Sequence, residues 1–453
     1  MRTNTIATGM GASLCLLLGC GDAKDGRANG GTDSAGIPAG GEAGGGEQGG
    51  EGGDAEGSGD GPVDGDGEGD GVGAIKFDVN ATPDIDPTTT CQPGGVGGGK
   101  GGGGGGPDYS YLWAANSTQG TISKLDTQTV TEVGRFQVRP DGAGSPSRTS
   151  VSLSGHVAVA SRSGGVTKFY ATEDLCQDTN GTPGIQTSTT NVALPWDQEE
   201  CRAWHTPFAY TSQRPVAWGQ GEWNYSTCSY DNELLWTAGR NGNATTADVV
   251  LMDGDDGTIL DSVVIAGLVG DQYGIYGGAV DSEGNFWGTQ LGGSRLIKVT
   301  LANMTSQVWT PPVASGYGMT VDVDGYVWIC GSIVQRYNPA TDTWAQSASG
   351  LGSSGCMADA GHNDLLWTAA GGTIRGINRE TLLVDRSWTV PGSYGISIDF
   401  QGFVWAVAFG SSAHRVDPET GAVQSYDGLV GAYTYSDMTG AALSAVSGNI
   451  PTG

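Results

Sequence analysis

The feature that most constrains the fold is a repeat of about forty residues in the second half of the chain. Each copy contains a strand-like segment, a short turn and a second strand-like segment that carries a tryptophan. The aligned tryptophans are Trp287, Trp328, Trp367 and Trp405, at spacings of 41, 39 and 38 residues. Two more short segments follow in each copy, which gives four predicted strands per repeat. Four strands in about forty residues is the period of a β-propeller blade.

A D-x-x-G turn recurs six residues before the tryptophan, at Asp281, Asp322 and Asp399. The copy at Asp322, "DVDG", could also begin a calcium loop. A calcium loop needs more oxygen ligands within the next eight residues, but residues 326–330 are predicted to form a strand. The sequence therefore predicts a hairpin turn, with a positive φ angle at Gly325 and with Asp322 accepting hydrogen bonds from nearby backbone amides.

Three less regular repeats precede these four, around Trp113, His156 and Trp236. We therefore predict an all-β fold, a seven-bladed β-propeller, with six blades as the alternative. The first repeat lacks an inner strand, and the segment that begins at Tyr433 looks like an inner strand without a blade. The two ends of region 109–453 are thus predicted to complete one blade, so that this C-terminal strand closes the ring and leaves no sheet edge unpaired.

This blade pattern is similar to that of the streptogramin B lyase (virginiamycin B lyase-like) and NHL-like propellers, across nearly all of 109–453. The resemblance implies the propeller fold. For activity it implies a magnesium ion and a His/Glu constellation, with blades that often read Trp-Phe-Thr-Glu. The four corresponding stretches here begin at Trp287, Trp328, Trp367 and Trp405, and none of them contains the Glu.

Three of the four histidines are also placed poorly for that chemistry. His156 and His362 fall in predicted hairpin turns and His414 on a third strand, so the sequence offers no evident general base for an elimination. We therefore expect a non-catalytic binding or scaffold module, with a streptogramin lyase-like, metal-dependent C–O lyase or related enzyme as the alternative. Fold alone does not decide between them, since propellers support many functions.

The N-terminal region is predicted to direct export and membrane attachment, and it is not predicted to form a folded domain. Residues 1–20 end in an apolar run followed by Gly19 and Cys20, which resembles a bacterial lipoprotein signal in which Cys20 is lipidated. An ordinary signal peptide is the alternative. Gly21 after Cys20 favours the outer membrane, on the periplasmic or cell-surface side, so the predicted membrane contact is the lipid anchor alone.

Residues 21–108 carry 17 acidic residues against four basic ones and are rich in Gly. Such a segment cannot bury enough apolar surface to fold, so it is predicted to be a disordered tether. Of the 453 residues only 21 are Lys or Arg, and the net charge is -28, so nucleic acid is not an expected partner.

A segment of about 174–228, rich in Cys and Trp, is predicted as an insertion between the second and third blades. Its aromatic side chains could form a small core or a lid that contacts a ligand; the tryptophans are Trp196, Trp204, Trp218 and Trp223. Asp178 and Asn180 faintly match a calcium loop, but Pro183 stands where Gly is needed. Calcium or magnesium is therefore a possible cofactor, and a purely structural turn is the favoured interpretation.

A tyrosine stands at the start of three predicted inner strands: Tyr276, Tyr317 and Tyr394. Arg148 and Tyr435 occupy the corresponding places in other blades. Because ligand pockets favour aromatic side chains with a few polar groups, these residues could bind a protein, peptide or carbohydrate at the channel. Packing at a crowded channel entrance explains them equally well.

Six cysteines follow the signal segment, and in an exported protein most should pair. Cys330 and Cys356 belong to successive blades, which predicts a bridge between them. Within the insertion we predict Cys176–Cys201, and Cys228 and Cys91 stay unassigned. The sequence contains no CxxC pair of the kind that binds zinc.

Overall fold

The computed structural model describes residues 110–227, 229–351, 354–359, 361–449 and 451. The predicted signal segment and tether, and the two unassigned cysteines Cys91 and Cys228, lie outside these ranges. Within the ranges, no helix is both long enough and apolar enough to cross a membrane.

The described chain folds into seven antiparallel blades, so the predicted seven-bladed propeller is confirmed. Blade 1 contains β1 (Tyr111–Asn116), β2 (Thr121–Asp126) and β3 (Thr131–Gln137). Blade 2 contains β4 (Pro146–Val151), β5 (Val157–Ser161), β6 (Val166–Phe169) and β7 (Arg202–Thr206). Blade 3 begins with β8 (Ser212–Trp218), is interrupted by a hairpin of β9 (Glu222–Asn224) and β10 (Ser229–Asp231), and continues with β11 (Leu234–Arg240), β12 (Ala247–Asp253) and β13 (Ile259–Ile265).

The four C-terminal blades are regular. Blade 4 contains β14 (Ile275–Val280), β15 (Phe286–Gln290), β16 (Leu296–Val299) and β17 (Ser306–Trp309). Blade 5 contains β18 (Gly318–Val321), β19 (Val327–Cys330), β20 (Gln335–Asn338) and β21 (Thr343–Gln346). Blade 6 contains β22 (Cys356–Ala358), β23 (Leu365–Ala370), β24 (Thr373–Asn378) and β25 (Val384–Thr389). Blade 7 contains β26 (Ser393–Ile398), β27 (Val404–Ala408), β28 (Ala413–Val416) and β29 (Val423–Tyr426), and one helix follows, α1 (Ala441–Ser447).

Burial within a blade depends on distance from the ring axis. Second strands such as β15 and β27 are buried along their whole length because neighbouring blades pack against both faces, whereas the outermost strands β17 and β29 are largely exposed. This explains why the repeat tryptophans could be found in the sequence. Each lies on the strand next to the innermost one and is fully buried between blades: Trp113, Trp236, Trp287, Trp328, Trp367 and Trp405.

The D-x-x-G turn ties each hairpin to its tryptophan. In blade 5 the Asp322 Oδ1 accepts backbone N–H groups of Asp324 at 3.1 Å and Tyr326 at 2.9 Å, and Gly325 has φ +79°. The Asp322 Oδ2 accepts the indole N–H of Trp328 at 2.8 Å. The predicted turn is thus confirmed, and protein donors occupy both carboxylate oxygens.

The two ends of the propeller complete blade 1, as predicted. The Trp113 N–H donates to the Met438 carbonyl at 2.9 Å, and the Tyr433 N–H donates to the Ala115 carbonyl at 3.0 Å. Residues 432–438 therefore run beside β1 as the innermost segment of that blade. This pairing covers the inner edge of β1, so the ring is closed by backbone hydrogen bonds.

The helix α1 lies across the channel near the ends of the inner strands. Leu443 and Val446 are buried and line a small cavity there, together with Val280 and Val321. The buried Asp437 carboxylate accepts N–H groups from the first turn of the helix, which fixes its position. The helix α1 therefore covers one end of the channel, and small cavities lie beside it.

Both predicted disulfides are present, Cys176–Cys201 and Cys330–Cys356. The second joins β19 of blade 5 to β22 of blade 6. The segment 174–228, however, is not one insertion, because it contains the blade strands β7 and β8. It comprises a loop between β6 and β7 that the first disulfide spans, and the β9–β10 hairpin. The sequence prediction merged them because β7 and β8 carry polar and aromatic residues and lack the repeat pattern.

Candidate functional site

Five tyrosines meet where the inner strands begin, at the end of the channel opposite α1. We call this group the tyrosine cluster; its members are Tyr276, Tyr317, Tyr394, Tyr433 and Tyr435. Tyr276 and Tyr394 are the second residues of β14 and β26, and Tyr317 directly precedes β18. The closing segment supplies the other two. The structure thus brings together all four tyrosines that the sequence singled out.

Tyr433 is the member that sequence reasoning missed as a site residue. It lies in the stretch "YTYSDM", which was identified as the closing strand, and alternation along a strand brings both Tyr433 and Tyr435 to the channel. The hydroxyls of Tyr276 and Tyr317 are 2.9 Å apart, and both hydrogen-bond to the hydroxyl of Tyr433. Three phenols from three blades therefore share one hydrogen-bonded triangle.

The cluster continues to the protein surface through Phe409, in the turn after β27. Its ring centroid lies 5.6 Å from those of Tyr394 and Tyr433, and its side chain is 68% exposed. Tyr317 and Tyr394 are themselves partly exposed. The site therefore presents aromatic faces to solvent and hydroxyl groups below them.

Three arginines from blades 2 and 3 surround the tyrosine cluster: Arg148 on β4, Arg214 on β8, and Arg162 in the turn after β5. We call them the arginine group. The guanidinium carbon of Arg148 lies 3.0 Å from the ring centroid of Tyr435, and that of Arg214 lies 4.7 Å from the ring of Tyr276. These are cation–π contacts, which pack charged groups against aromatic faces.

The arginine group has no carboxylate partner among the described residues. Arg148 donates to the carbonyls of Ser147 and Tyr276, and Arg162 donates to Ser145. The buried Nε atom of Arg148, and the Nε and Nη1 atoms of Arg214, have no hydrogen-bond partner. The site therefore concentrates positive charge with unused donors.

Burial raises the pKa of most phenols in the cluster. It raises the pKa of Tyr276 to about 12, although Arg148 opposes the shift, and it also raises the pKa values of Tyr317 and Tyr394. Burial also lowers the pKa of the Arg148 guanidinium, to about 10, so it still carries its charge at neutral pH. These three tyrosines act as neutral hydrogen-bonding groups.

Tyr433 differs from them. Burial disfavours its ionisation, but the charge of Arg148 and the hydroxyl groups of Tyr276 and Tyr317 outweigh burial and hold the pKa of Tyr433 below its ordinary value. The Arg214 charge acts in the same direction. The cluster thus contains one phenol whose pKa lies below that of an ordinary tyrosine.

None of the four tryptophans of the segment 174–228 belongs to the tyrosine cluster. Trp204 and Trp218 are buried in the core around blades 2 and 3, and Trp223 packs against that core from the β9–β10 hairpin. Trp196 packs at the outer strand of blade 2, against His205. They stabilise local structure, and they do not form one aromatic surface with the tyrosine cluster.

The loop that resembles a calcium site is organised around a carboxylate. Glu200 accepts backbone N–H groups of Thr179 and Asn180 with one oxygen and of Gln186 with the other. The backbone amides, which repel a cation, point to the centre of this loop. Asp178 is exposed there, and the Asn180 side-chain oxygen accepts the Thr182 N–H at 2.8 Å.

The residues present do not fit the magnesium ion that the family resemblance implies. In the part of the chain that the structure describes, no group of three or more His, Cys, Asp or Glu side chains could hold a metal. His156 is buried in a hairpin turn, where its Nδ1 accepts the Ala171 N–H. His362 bonds to Asp359 at 3.2 Å on the turn between β22 and β23. We therefore derive no step through a metal.

Comparison with known proteins supports the fold. No protein family profile matches the chain, and no curated protein matches it. Solved structures do, among them one described as a streptogramin B lyase, with 15% identity over 67% of this chain and 88% of that one, and a TM-score of 0.47.

Two further solved structures also match this chain. A catalytically inactive virginiamycin B lyase from Staphylococcus aureus with quinupristin matches with 14% identity, over 62% of this chain and 83% of that one, at a TM-score of 0.44. A functionally unknown protein from Desulfotomaculum acetoxidans matches with 9% identity, over 72% and 97% of the two chains, at a TM-score of 0.50. The solved structures that match this chain thus include streptogramin B lyases, and at these identities the likeness concerns the fold alone.

Proposed function

We propose that this protein is a non-catalytic ligand-binding propeller and that its ligand binds at the tyrosine cluster. One observation carries the proposal: aromatic and cationic side chains from most of the blades converge at the end of the channel opposite α1, where buried guanidinium N–H groups have no partner among the described residues. Ligand sites favour aromatic side chains combined with a few placed polar groups.

The chemistry of the cluster suits a ligand that is polar and has a flat face. Tyrosine offers a large surface and a hydroxyl group at a low cost in conformational entropy, since only two side-chain torsions become fixed. Phe409 and Tyr394 would stack on the ligand, and the hydroxyls of Tyr276 and Tyr317 would bond to its polar groups. A short peptide or a carbohydrate meets this description.

The enzymatic alternative would need a base and an electrophilic group placed around one reacting atom. Among the described residues, the groups that contact the rings of the cluster through ring and cation–π contacts are phenols, Phe409 and guanidinium groups. This composition favours binding, and an assay for lyase activity remains part of the test.

We further propose that the propeller is exported and anchored through lipidated Cys20, with the acidic segment 21–108 as a spacer. The two disulfides support an oxidising compartment, because such bonds rarely persist in cytosol. A Cys20→Ala variant should move from the membrane fraction to the soluble fraction. If it stays with the membranes, the proposed anchor is wrong.

The binding proposal is tested with a panel of short peptides and oligosaccharides, using the purified full-length protein and calorimetry. A ligand of this site should lose most of its affinity in a Tyr394→Ala variant and keep it in Trp196→Ala, which removes an aromatic side chain at the outer strand of blade 2. Equal losses in both variants would contradict the proposed site. Conversion of a cyclic depsipeptide to an opened product, followed by mass spectrometry, would support the lyase alternative instead.

A further inference from the structure

Building on the ligand site proposed above, we propose that the ligand carries an oxyanion, a carboxylate or phosphate group, which binds between Arg148 and Arg214. The tyrosine cluster would then hold the remainder of the ligand. This assigns a charge to the ligand, which the aromatic residues alone do not.

The first support is the state of the two inner arginines. Arg148 is fully buried and Arg214 is 7% exposed, yet neither is paired with a carboxylate of the described residues. Buried charges are expensive unless they are paired and hydrogen-bonded. Nearly all buried polar groups in proteins have partners, so the three buried N–H donors of Arg148 and Arg214 without a protein partner are suited to an anion.

The second support is the geometry of the donors. Arg148 and Arg214 occupy the same place, the third residue, on the neighbouring inner strands β4 and β8. Their free N–H groups belong to planar guanidinium forks, which match the oxygens of carboxylates and phosphates. Both forks lie against the ring of Tyr276, within 4.8 Å. A small oxyanion beside this ring would contact both.

The third support is the contrast with the rest of the molecule. The whole chain has a net charge of -28, and elsewhere its buried arginines are paired with acids, as Arg379 is with Asp322 and Arg240 is with Asp271. Three unpaired arginines at one place in such a chain form a local positive field. That field would attract an anion to this end of the channel, although the rest of the chain is acidic.

Arg162 lies nearer the protein surface than Arg148 and Arg214, on the path by which a ligand would reach them. It is only partly buried, its guanidinium carbon lies 5.0 Å from the ring centroid of Tyr433, and it stands on a turn at the same end of the channel. An approaching oxyanion would meet Arg162 first and pass to the inner pair, displacing the contacts that now cover them.

Tyr433 supplies an internal check on the proposal. Arg148 lowers the pKa values of several phenols of the cluster, but Tyr433 is the one whose pKa ends below its ordinary value. A bound oxyanion and an ionised Tyr433 would compete for the same arginines, so binding should raise the pKa of Tyr433. By linkage, ionisation of Tyr433 should weaken binding by the same factor.

The experiment uses three probes with the purified full-length protein at pH 7: inorganic phosphate, benzoate, and benzyl alcohol as the uncharged counterpart of benzoate. Calorimetry should show saturable binding of at least one anion, with benzyl alcohol at least about tenfold weaker than benzoate, because a hydrogen bond to a charged group is stronger than one between neutral groups. An Arg214→Gln variant should lose about tenfold or more in affinity. Arg386→Gln, which removes the same charge from an outer strand, should bind as the parent does.

A second measurement does not depend on folding of the variants. In the parent protein, tyrosinate absorbance near 295 nm should titrate at higher pH when the anion is present. Equal affinity for benzoate and benzyl alcohol would overturn the oxyanion inference and leave the aromatic binding site standing. Anion binding that Arg214→Gln and Arg386→Gln weaken equally, or an unshifted titration, would show an adventitious interaction only. If no anion binds while a neutral member of the peptide and carbohydrate panel does, the inference fails and the proposed function does not.

Discussion

The buried aspartate of the repeat turn should carry far more stability than the exposed aspartate two residues later. Asp322 and Asp324 both contact Nη1 of Arg379 at 2.9 Å, but the Asp322 side chain is 0% exposed and that of Asp324 is 58% exposed. Comparing substitutions of these two aspartates therefore separates the contribution of the turn to stability from that of the ion pair with Arg379.

The Asp322→Ala substitution leaves the indole N–H of the fully buried Trp328 without an acceptor, which costs about 1–3 kcal/mol. It also removes the acceptor of two turn amides, at about 1 kcal/mol for a net hydrogen bond. Arg379 keeps Asp324 and Asp364, so no cation is left unpaired. We expect a total loss of about 3–5 kcal/mol.

Thermal unfolding of the full-length protein, followed by circular dichroism, measures the difference. The midpoint should fall by about 5 °C or more in Asp322→Ala, at ~2 °C per kcal/mol for a large domain, and by less than about 2 °C in Asp324→Ala. Addition of calcium or of a chelator should move neither midpoint. Equal shifts in the two variants would refute the role assigned to the turn, and a calcium-dependent shift would restore the calcium-loop interpretation.

Three other properties should follow from the structure. One phenol should ionise below the ordinary tyrosine pKa of about 10, seen as an early step in absorbance near 295 nm that Tyr433→Phe removes and Tyr426→Phe retains. Burial holds the pKa of His156 well below its usual range, so the neutral ring stabilises the fold above about pH 6.5 and this stabilisation is lost as the pH falls. In urea titrations, the free energy of unfolding of His156→Gln should therefore fall less steeply than that of the parent between about pH 6.5 and 4.5. Parallel curves for the two proteins would contradict this. Replacing Cys330 and Cys356 together by Ser should lower the free energy of unfolding by about 2–4 kcal/mol in urea titrations, whereas an unchanged midpoint would show that the bridge between blades 5 and 6 contributes little.

The sequence was most informative where the repeat is regular. Trp287, Trp328 and Trp405 each follow a D-x-x-G turn, and each is fixed by the aspartate six residues earlier. Local hydrogen bonds and alternation along one strand determine this unit, so it is visible in one short window. The same windows gave four of the seven blades and the Cys330–Cys356 bridge between two of them.

The sequence was least informative where contacts are distant. The strands β7 and β8 were not recognised within the segment 174–228. Their pairing partners are β6 and β11, which a long loop and a hairpin separate from them in the sequence. Tyr433 was placed in the closing strand, but its contact with Tyr276 spans 157 residues, and no spacing rule predicts such a contact. Arg162 and Arg214 were not identified as site residues, because a sequence does not show whether an arginine has a carboxylate partner.

The most direct test of a ligand site at the tyrosine cluster is a crystal structure of the protein with benzoate bound. We predict the carboxylate within about 2.7–3.2 Å of guanidinium nitrogens of Arg148 or Arg214, and the ring against the aromatic side chains of the cluster. Benzoate bound only elsewhere, such as beside Trp196 or along the outer strands, with the tyrosine cluster unchanged, would contradict the account.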